Sequence, residues 1–235
     1  MVHLPFADRM EAGRLLAKEV AARNICEPHD ATVVMALTRG GVPVGFAVAD
    51  RLHIPLDVLV VRKLGVPWQP ELAMGAIAGG TSILDDRMIR QLRISAGDIG
   101  DTVEREHAEM KRREELCRDS NPALDLSGRA AILVDDGLAT GSTMLAAVRH
   151  VRSLGPARVI VAVPVGSKEA CDYLRREVDD LVCLATPERF FAVGTWYRDF
   201  EQVSDDDVRR LLAEGRFTNG WTTPAARPAR TFPVP

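Results

Sequence analysis

Residues 132–144, ILVDDGLATGSTM, set two adjacent carboxylates, Asp135 and Asp136, directly before a turn of small residues. The apolar run before them reads as a buried strand. Gly137 and Gly141 frame the turn, and Thr140, Ser142 and Thr143 open the apolar helix that follows. Backbone N–H groups wrapped over residues 137–143 (Gly137, Leu138, Ala139, Thr140, Gly141, Ser142, Thr143) can surround an anion. The helix N-terminus adds partial positive charge to them. Carboxylates accept charge-assisted hydrogen bonds from vicinal hydroxyls. A ligand that satisfies both halves carries a diol and a phosphate a few ångströms apart, as a ribose 5-phosphate unit does. The bland alternative is an Asp-Asp turn that merely caps a helix. The stretch is not a nucleotide-binding Walker A loop, because three residues rather than four separate Gly137 from Gly141 and Ser142 stands where the lysine belongs.

Three further stretches carry suitable side chains. LTRGGVPVG (37–45) ends an apolar run in Thr38, Arg39, Gly40 and Gly41, where two glycines permit close backbone approach and arginine supplies a permanent charge suited to phosphate oxygens. RKLGVPWQPELAMGA (62–76) presents Arg62 and Lys63, then Trp68 and Glu71. TPERFFAVGTWYRDF (186–200) clusters Phe190, Phe191, Trp196 and Tyr197, which are able to stack on a planar base or to serve as ordinary core. His3, His29, His53, His107 and His150 show no ligand spacing, so no metal site and no catalytic histidine is assigned. Cys26, Cys117, Cys171 and Cys183 are scattered without a CxxC pair, as in a reducing compartment.

The elements that must position these groups alternate. An amphipathic helix is expected over 8–23, with Met10, Leu15 and Val20 on its buried side. Strands are expected over 32–37 and 55–63, with a helix to about Leu52 between them. Residues 64–80 begin as a long loop, and AMGAIA returns as a strand. A short helix follows at MIRQLRI. Residues 97–118 form a charged helix with a thin apolar edge of Ile99, Val103, Met110 and Leu116. Strands over 129–136, in ARVIVAVPV and in DDLVCLAT alternate with helices in GSTMLAAVRHVRSLG and SKEACDYLRRE. Such alternation implies an α/β fold, a parallel-sheet core covered by helices on both faces. One domain over 1–214 is expected, with a Pro-rich disordered tail over 215–235. The chain has 235 residues, 27% of them charged, and a formal net charge of −3, which points away from nucleic-acid and membrane surfaces. No apolar h-region opens the chain, and the protein is expected in the cytoplasm.

In order, spacing and strand–loop–helix context, ILVDDGLATGSTM resembles the PRPP-binding motif of type I phosphoribosyltransferases. The resemblance extends over roughly residues 8–213. It implies that Asp135 and Asp136 bind the ribose hydroxyls and residues 137–143 the 5′-phosphate. It makes Thr38–Gly41, with Arg62 and Lys63, the pyrophosphate site. Residues 62–76 become a mobile catalytic loop, with Trp68 and Glu71 as lid candidates. Residues 186–203 become a small hood over the acceptor, with Trp196 and Tyr197 as candidates to meet it. The implied activity is transfer of a 5-phosphoribosyl group from PRPP to a nucleobase-like nitrogen, with Arg39, Lys63, Asp135 and Asp136 as catalytic candidates. Mg2+ would be carried by PRPP and held by no protein ligand directly assigned, and the enzyme would be a homodimer. The alternative is a non-catalytic PRPP- or nucleotide-binding regulatory module. In the hypoxanthine–guanine branch an aspartate precedes the Thr-Gly pair of the phosphate loop. Ala139 stands there in this chain, so hypoxanthine and guanine are expected to be poor substrates.

Overall fold

A computed structural model describes residues 3–25, 32–118 and 123–218. His29, Cys26 and the expected tail beyond residue 218 lie outside them. Five parallel strands form the central sheet in the order β2-β1-β6-β7-β8: β1 (Thr32–Leu37), β2 (Leu56–Leu59), β6 (Ala130–Val134), β7 (Arg158–Val165) and β8 (Asp180–Ala185). A second, antiparallel sheet joins β3 (Val61–Val66), β4 (Gln69–Ala78) and β5 (Thr81–Leu84). The helices are α1 (Arg9–Ala22), α2 (Gly41–Leu52), α3 (Asp86–Leu92), α4 (Ala96–Arg118), α5 (Ser142–Ser153), α6 (Lys168–Leu174) and α7 (Asp205–Thr218).

Side-chain alternation along the parallel strands splits the interior in two. Val33, Met35, Leu133 and Val161 pack towards Met144 and Val148 of α5. Their neighbours Val34, Ala36, Ile132 and Ile160 pack the other way, onto Leu16 of α1, Val48 of α2 and Val208 of α7. The strands are therefore apolar at most positions on both faces, as a doubly covered parallel sheet requires, with Asp57 of β2 a buried exception. The expected face of α1 is turned: Leu16, Ala17 and Val20 are buried, while Met10 and Leu15 are only half-buried. The pivot is Gly13, where a Cβ would sit 2.7 Å from the Ala47 Cβ, so α1 lies directly on α2. Asp8 caps α1 by accepting from the Glu11 N–H at 2.7 Å.

Two expectations for the middle of the chain need correction. The run 55–63 is two strands, interrupted at Val60, and the predicted loop from residue 64 is the hairpin of β3 and β4. The hairpin's Leu64, Val66, Met74 and Ile77 form a third core with Met110, Ile99 and Val103 of α4. Leu116, expected on that apolar edge, is exposed. At the other end of the chain, α7 carries through Gly215 to Thr218, so the predicted start of the tail falls inside a helix.

Candidate active site

Adjacent strands β1 and β6 send their following helices in opposite senses across the sheet. A crevice for ligands opens at the carboxyl ends of strands where this happens. Thr38–Gly41 leaves β1 there and Asp135–Gly141 leaves β6. The two turns touch. A Cβ at Gly41 would lie 2.6 Å from the Val134 carbonyl oxygen and 2.9 Å from the Asp135 Cα, and one at Gly40 would overlap the Asp136 carboxylate. Only glycine at both positions allows the first turn to lie against the carboxylate pair. The Thr38–Arg39 peptide bond is cis.

The second turn is built as a cradle. Leu138 is buried, its N–H donates to the Val165 carbonyl at 2.9 Å, and its own carbonyl accepts from the Ser167 N–H at 2.8 Å. Leu138 therefore anchors the loop and offers a ligand neither donor nor acceptor, contrary to its expected binding role. The Ser167 hydroxyl donates to the Ala139 carbonyl at 2.7 Å. Gly141, at φ 79°, turns the chain into α5, leaving the first amides of that helix without intrahelical partners. The Thr140 and Ser142 hydroxyls, 3.2 Å apart, are exposed at its mouth, and Thr143 is half-buried. Gly137 lies under Val193, whose Cγ1 is 2.6 Å from where a Cβ would be.

Burial drives the Asp135 carboxyl well above the usual carboxylate range, and the neighbouring Asp136 charge adds to the effect. Burial also raises Asp136, against the opposing pull of Arg9. The Arg9 Nε donates to Asp136 Oδ2 at 2.9 Å, and the Asp136 N–H donates to Asp135 Oδ1 at 2.9 Å. A ligand bringing hydroxyl donors would relieve a pair held under this tension.

The structure divides the remaining candidates. Arg39 reaches Asp205 at the start of α7, with Nη1 3.5 Å from Oδ1. Arg62 turns towards α4, where its Nε and Nη2 donate to Glu106 Oε2 at 3.0 and 2.8 Å. Its expected pyrophosphate contact is thus replaced by a structural ion pair, because alternation puts Arg62 and Lys63 on opposite faces of β3. Lys63 is exposed, and its ladder partner Ala76 lines a cleft of about 350 Å³ bounded on the far side by Thr140, Ser142 and Arg149. Trp68 stands exposed at the hairpin tip. Glu71 falls in β4.

Tyr197 is not free to stack on a base. Its ring is 5% exposed, packed 5.4 Å from Phe6 and 5.1 Å from Phe200, and its hydroxyl donates to the Asp136 carbonyl at 2.6 Å. Trp196 is half-buried beside Phe190, and its Nε1 finds no acceptor among the described residues. Phe191 remains exposed. The segment is tied to the N-terminus through Phe6, whose N–H donates to the Trp196 carbonyl at 2.9 Å. Sequence reasoning missed Phe6, Arg9, Ser167 and Phe200, which are joined to the site only through the fold.

The phosphoribosyl transferase domain model matches residues 9–198, most of the chain and both turns. The chain belongs to the type I phosphoribosyltransferase family. Two curated Mycobacterium tuberculosis proteins, both provisionally named as phosphoribosyl transferases, are 48% identical over 209 residues, 88% of this chain. That match covers 46% of each, so the chain spans less than half the length of these relatives. Bifunctional protein PyrR of Chloroflexus aurantiacus is 33% identical over 110 residues, 46% of this chain and 55% of that protein. Among solved structures, TT1426 from Thermus thermophilus superposes with a TM-score of 0.76 at 42% identity, covering 90% of this chain and 99% of that one. As in the sequence reading, the architecture of this chain is a mixed α/β fold with helices flanking a parallel sheet. No helix among the described residues is long and apolar enough to cross a membrane.

Proposed function

We propose that the protein transfers a 5-phosphoribosyl group from PRPP to a nitrogen of a nucleobase-like acceptor and releases pyrophosphate. The observation that carries this reading is the contact of the Gly40–Gly41 turn with Asp135 and Asp136, beside the helix-terminal cradle at Thr140–Thr143. A diphosphate, a ribose diol and a 5′-phosphate would each meet the chemistry it needs within one crevice. In the reaction the bond from ribose C1 to the diphosphate oxygen breaks, and pyrophosphate leaves with the electron pair. The acceptor nitrogen supplies the pair for the new C1–N bond and then loses its proton.

The chain's part is positioning and electrostatics. The carboxylates hold the hydroxyls while positive charge grows on the ribose ring, and backbone amides fix the phosphate. Lys63 is the basic candidate whose charge no described ion pair consumes, and it would face the departing pyrophosphate. Mg2+ would be carried by the diphosphate of PRPP, with phosphate oxygens and water filling its octahedral shell. Phe191 and Trp68 are exposed aromatics available to the acceptor and the lid. A cytoplasmic homodimer is the setting this reading implies. Ala139 disfavours hypoxanthine and guanine, since alanine cannot exchange a proton with a purine ring.

A regulatory reading draws on a specific observation: Arg39 and Arg62 spend their charges on Asp205 and Glu106. One experiment separates the two. PRPP with Mg2+ should raise the melting temperature, by about 2.7 kcal/mol of stabilisation at 100 times its Kd. Pyrophosphate release against a panel of bases then distinguishes an enzyme from a binder. No thermal shift with PRPP or any nucleoside monophosphate would refute both.

A further inference from the structure

Arg9 lies outside every motif, yet its side chain is only 11% exposed and makes three contacts with the site's surroundings. Its Nε pairs with Asp136 Oδ2 at 2.9 Å, its Nη1 donates to the Glu201 carbonyl at 2.8 Å, and its Cζ lies 3.8 Å from the centre of the Phe200 ring. Phe200 packs on Tyr197, and Tyr197 returns to Asp136 through its hydroxyl. Asp136, Arg9, Phe200 and Tyr197 therefore close a ring of contacts. That ring fastens both the side chain and the backbone of one carboxylate residue to the segment 196–201.

We infer that Arg9 is a positioning residue, which holds the Asp136 carboxylate in the orientation that receives the ribose diol and couples it to the acceptor-side segment 196–201. The inference rests on the proposed ribose site. A guanidinium suits this role because it is planar, stacks on an aromatic ring and still directs N–H groups in its plane at a carboxylate. It engages Oδ2 and leaves the lone pairs of Oδ1 for a hydroxyl. An arginine needed only to fix α1 could do so with Phe200 and Glu201 alone. The third contact falls on one of the two buried carboxylates of the turn. Asp136 is faced by the Asp135 carboxylate from its own turn, by Arg9 from α1 and by the Tyr197 hydroxyl. From the α2 side the Gly40 backbone lies against it. Burial favours protonation of Asp136, and Arg9 opposes it. When Arg9 is lost, Asp136 should protonate at higher pH and surrender the charge-assisted bond to the diol.

The test uses Arg9→Gln, Arg9→Lys and Phe200→Leu in the full chain. Carboxyl-carbon NMR follows the titration of Asp136 without ligand, and calorimetry follows Mg2+–PRPP binding over roughly pH 4 to 9, from the ordinary aspartate value upwards. Arg9→Gln should raise the Asp136 midpoint by about one pH unit or more. It should weaken PRPP about tenfold at the acid end, recovering towards the alkaline end. Arg9→Lys should restore the midpoint but not the full affinity, because an ammonium cannot stack and direct two N–H groups at once. Phe200→Leu, with Arg9 intact, should give a smaller version of the Gln effect and guards against a Gln variant that fails to fold. An Asp136 midpoint that stays at the wild-type value in Arg9→Gln overturns the inference. If the wild type binds no PRPP at any pH, the ribose reading fails, and the NMR titration still decides whether Arg9 governs Asp136.

Discussion

Removing one oxygen, by Tyr197→Phe, should both loosen the fold and degrade the site. The ring would keep its packing on Phe6 and Phe200, so no cavity opens. What disappears is the 2.6 Å hydrogen bond to the Asp136 carbonyl, made where the tyrosine is 5% exposed. Leaving a buried acceptor without its donor costs about 1–3 kcal/mol. For a domain of this size each kcal/mol lowers the melting temperature by roughly 2–4 °C. The expected fall is therefore about 2–12 °C, with the lower half favoured if water reaches the carbonyl. Tyr197→Ala deletes the ring as well and should cost a further ~2 kcal/mol or more from the cavity alone. Calorimetry on the ligand-free proteins supplies the first number. The second measurement is the thermal shift caused by Mg2+–PRPP, which should shrink in the Phe variant because Asp136 is the residue released. Equal melting temperatures and equal ligand shifts in wild type and Tyr197→Phe would refute the argument that this hydroxyl sets the position of Asp136.

Asp135→Asn should abolish the PRPP shift yet stabilise the ligand-free protein at pH 8. A carboxyl raised on folding favours the folded state below the ordinary aspartate value, and this contribution is lost as pH rises through the raised one, so the advantage of Asn should close near pH 4. Melting curves across that range check the sign, and an Asn variant less stable than wild type at pH 8 would contradict it. Arg118→Ala should cost about 3 kcal/mol, roughly 6–12 °C, because it strips a cation from Asp57, a fully buried carboxylate that also accepts from the Val58 and Leu124 amides. A drop under about 1 °C would show that this ion pair contributes little. Trp68→Ala, at an exposed hairpin tip, should leave stability within about 0.5 kcal/mol while lowering turnover. Unchanged kcat and KM would remove Trp68 from the lid.

What the sequence made legible was local. The path from β6 through Asp135 and Asp136 into α5 is announced by an apolar run, two charges, two glycines and a helix, all within a short span. Residues 55–63 misled because no glycine or proline marks the break. The chain divides at Val60 because that side chain joins the core beneath α4, whereas Val61 joins the core beneath α5. At α7 the signal was present and overlooked: Ser204 caps the helix by accepting from the Asp207 N–H at 3.1 Å. Gly215, where the tail was expected to begin, is kept small because a Cβ there would come 3.1 Å from Leu56. Arg9 and Asp136 are 127 residues apart, and no period or spacing announces their pairing. Tyr197 was found by type with its role left open between base stacking and core, since an aromatic residue carries the same letter whether it stacks on a ligand or braces a carbonyl.

A flexible loop and a hairpin move by different mechanics. At about 3.3 Å per residue, β3 sets Trp68 roughly 20 Å from its root at Val61. The whole arm is clamped along one side to α4 by Leu64, Met74, Met110 and the Arg62–Glu106 pair. Such an arm works as a lever: a tilt of about 10° at the root would sweep the tip through roughly 3–4 Å without breaking a rung of the ladder. The helix clamped to it would have to follow, so closing over a ligand would be felt at the far end of α4, where Arg118 meets the buried Asp57.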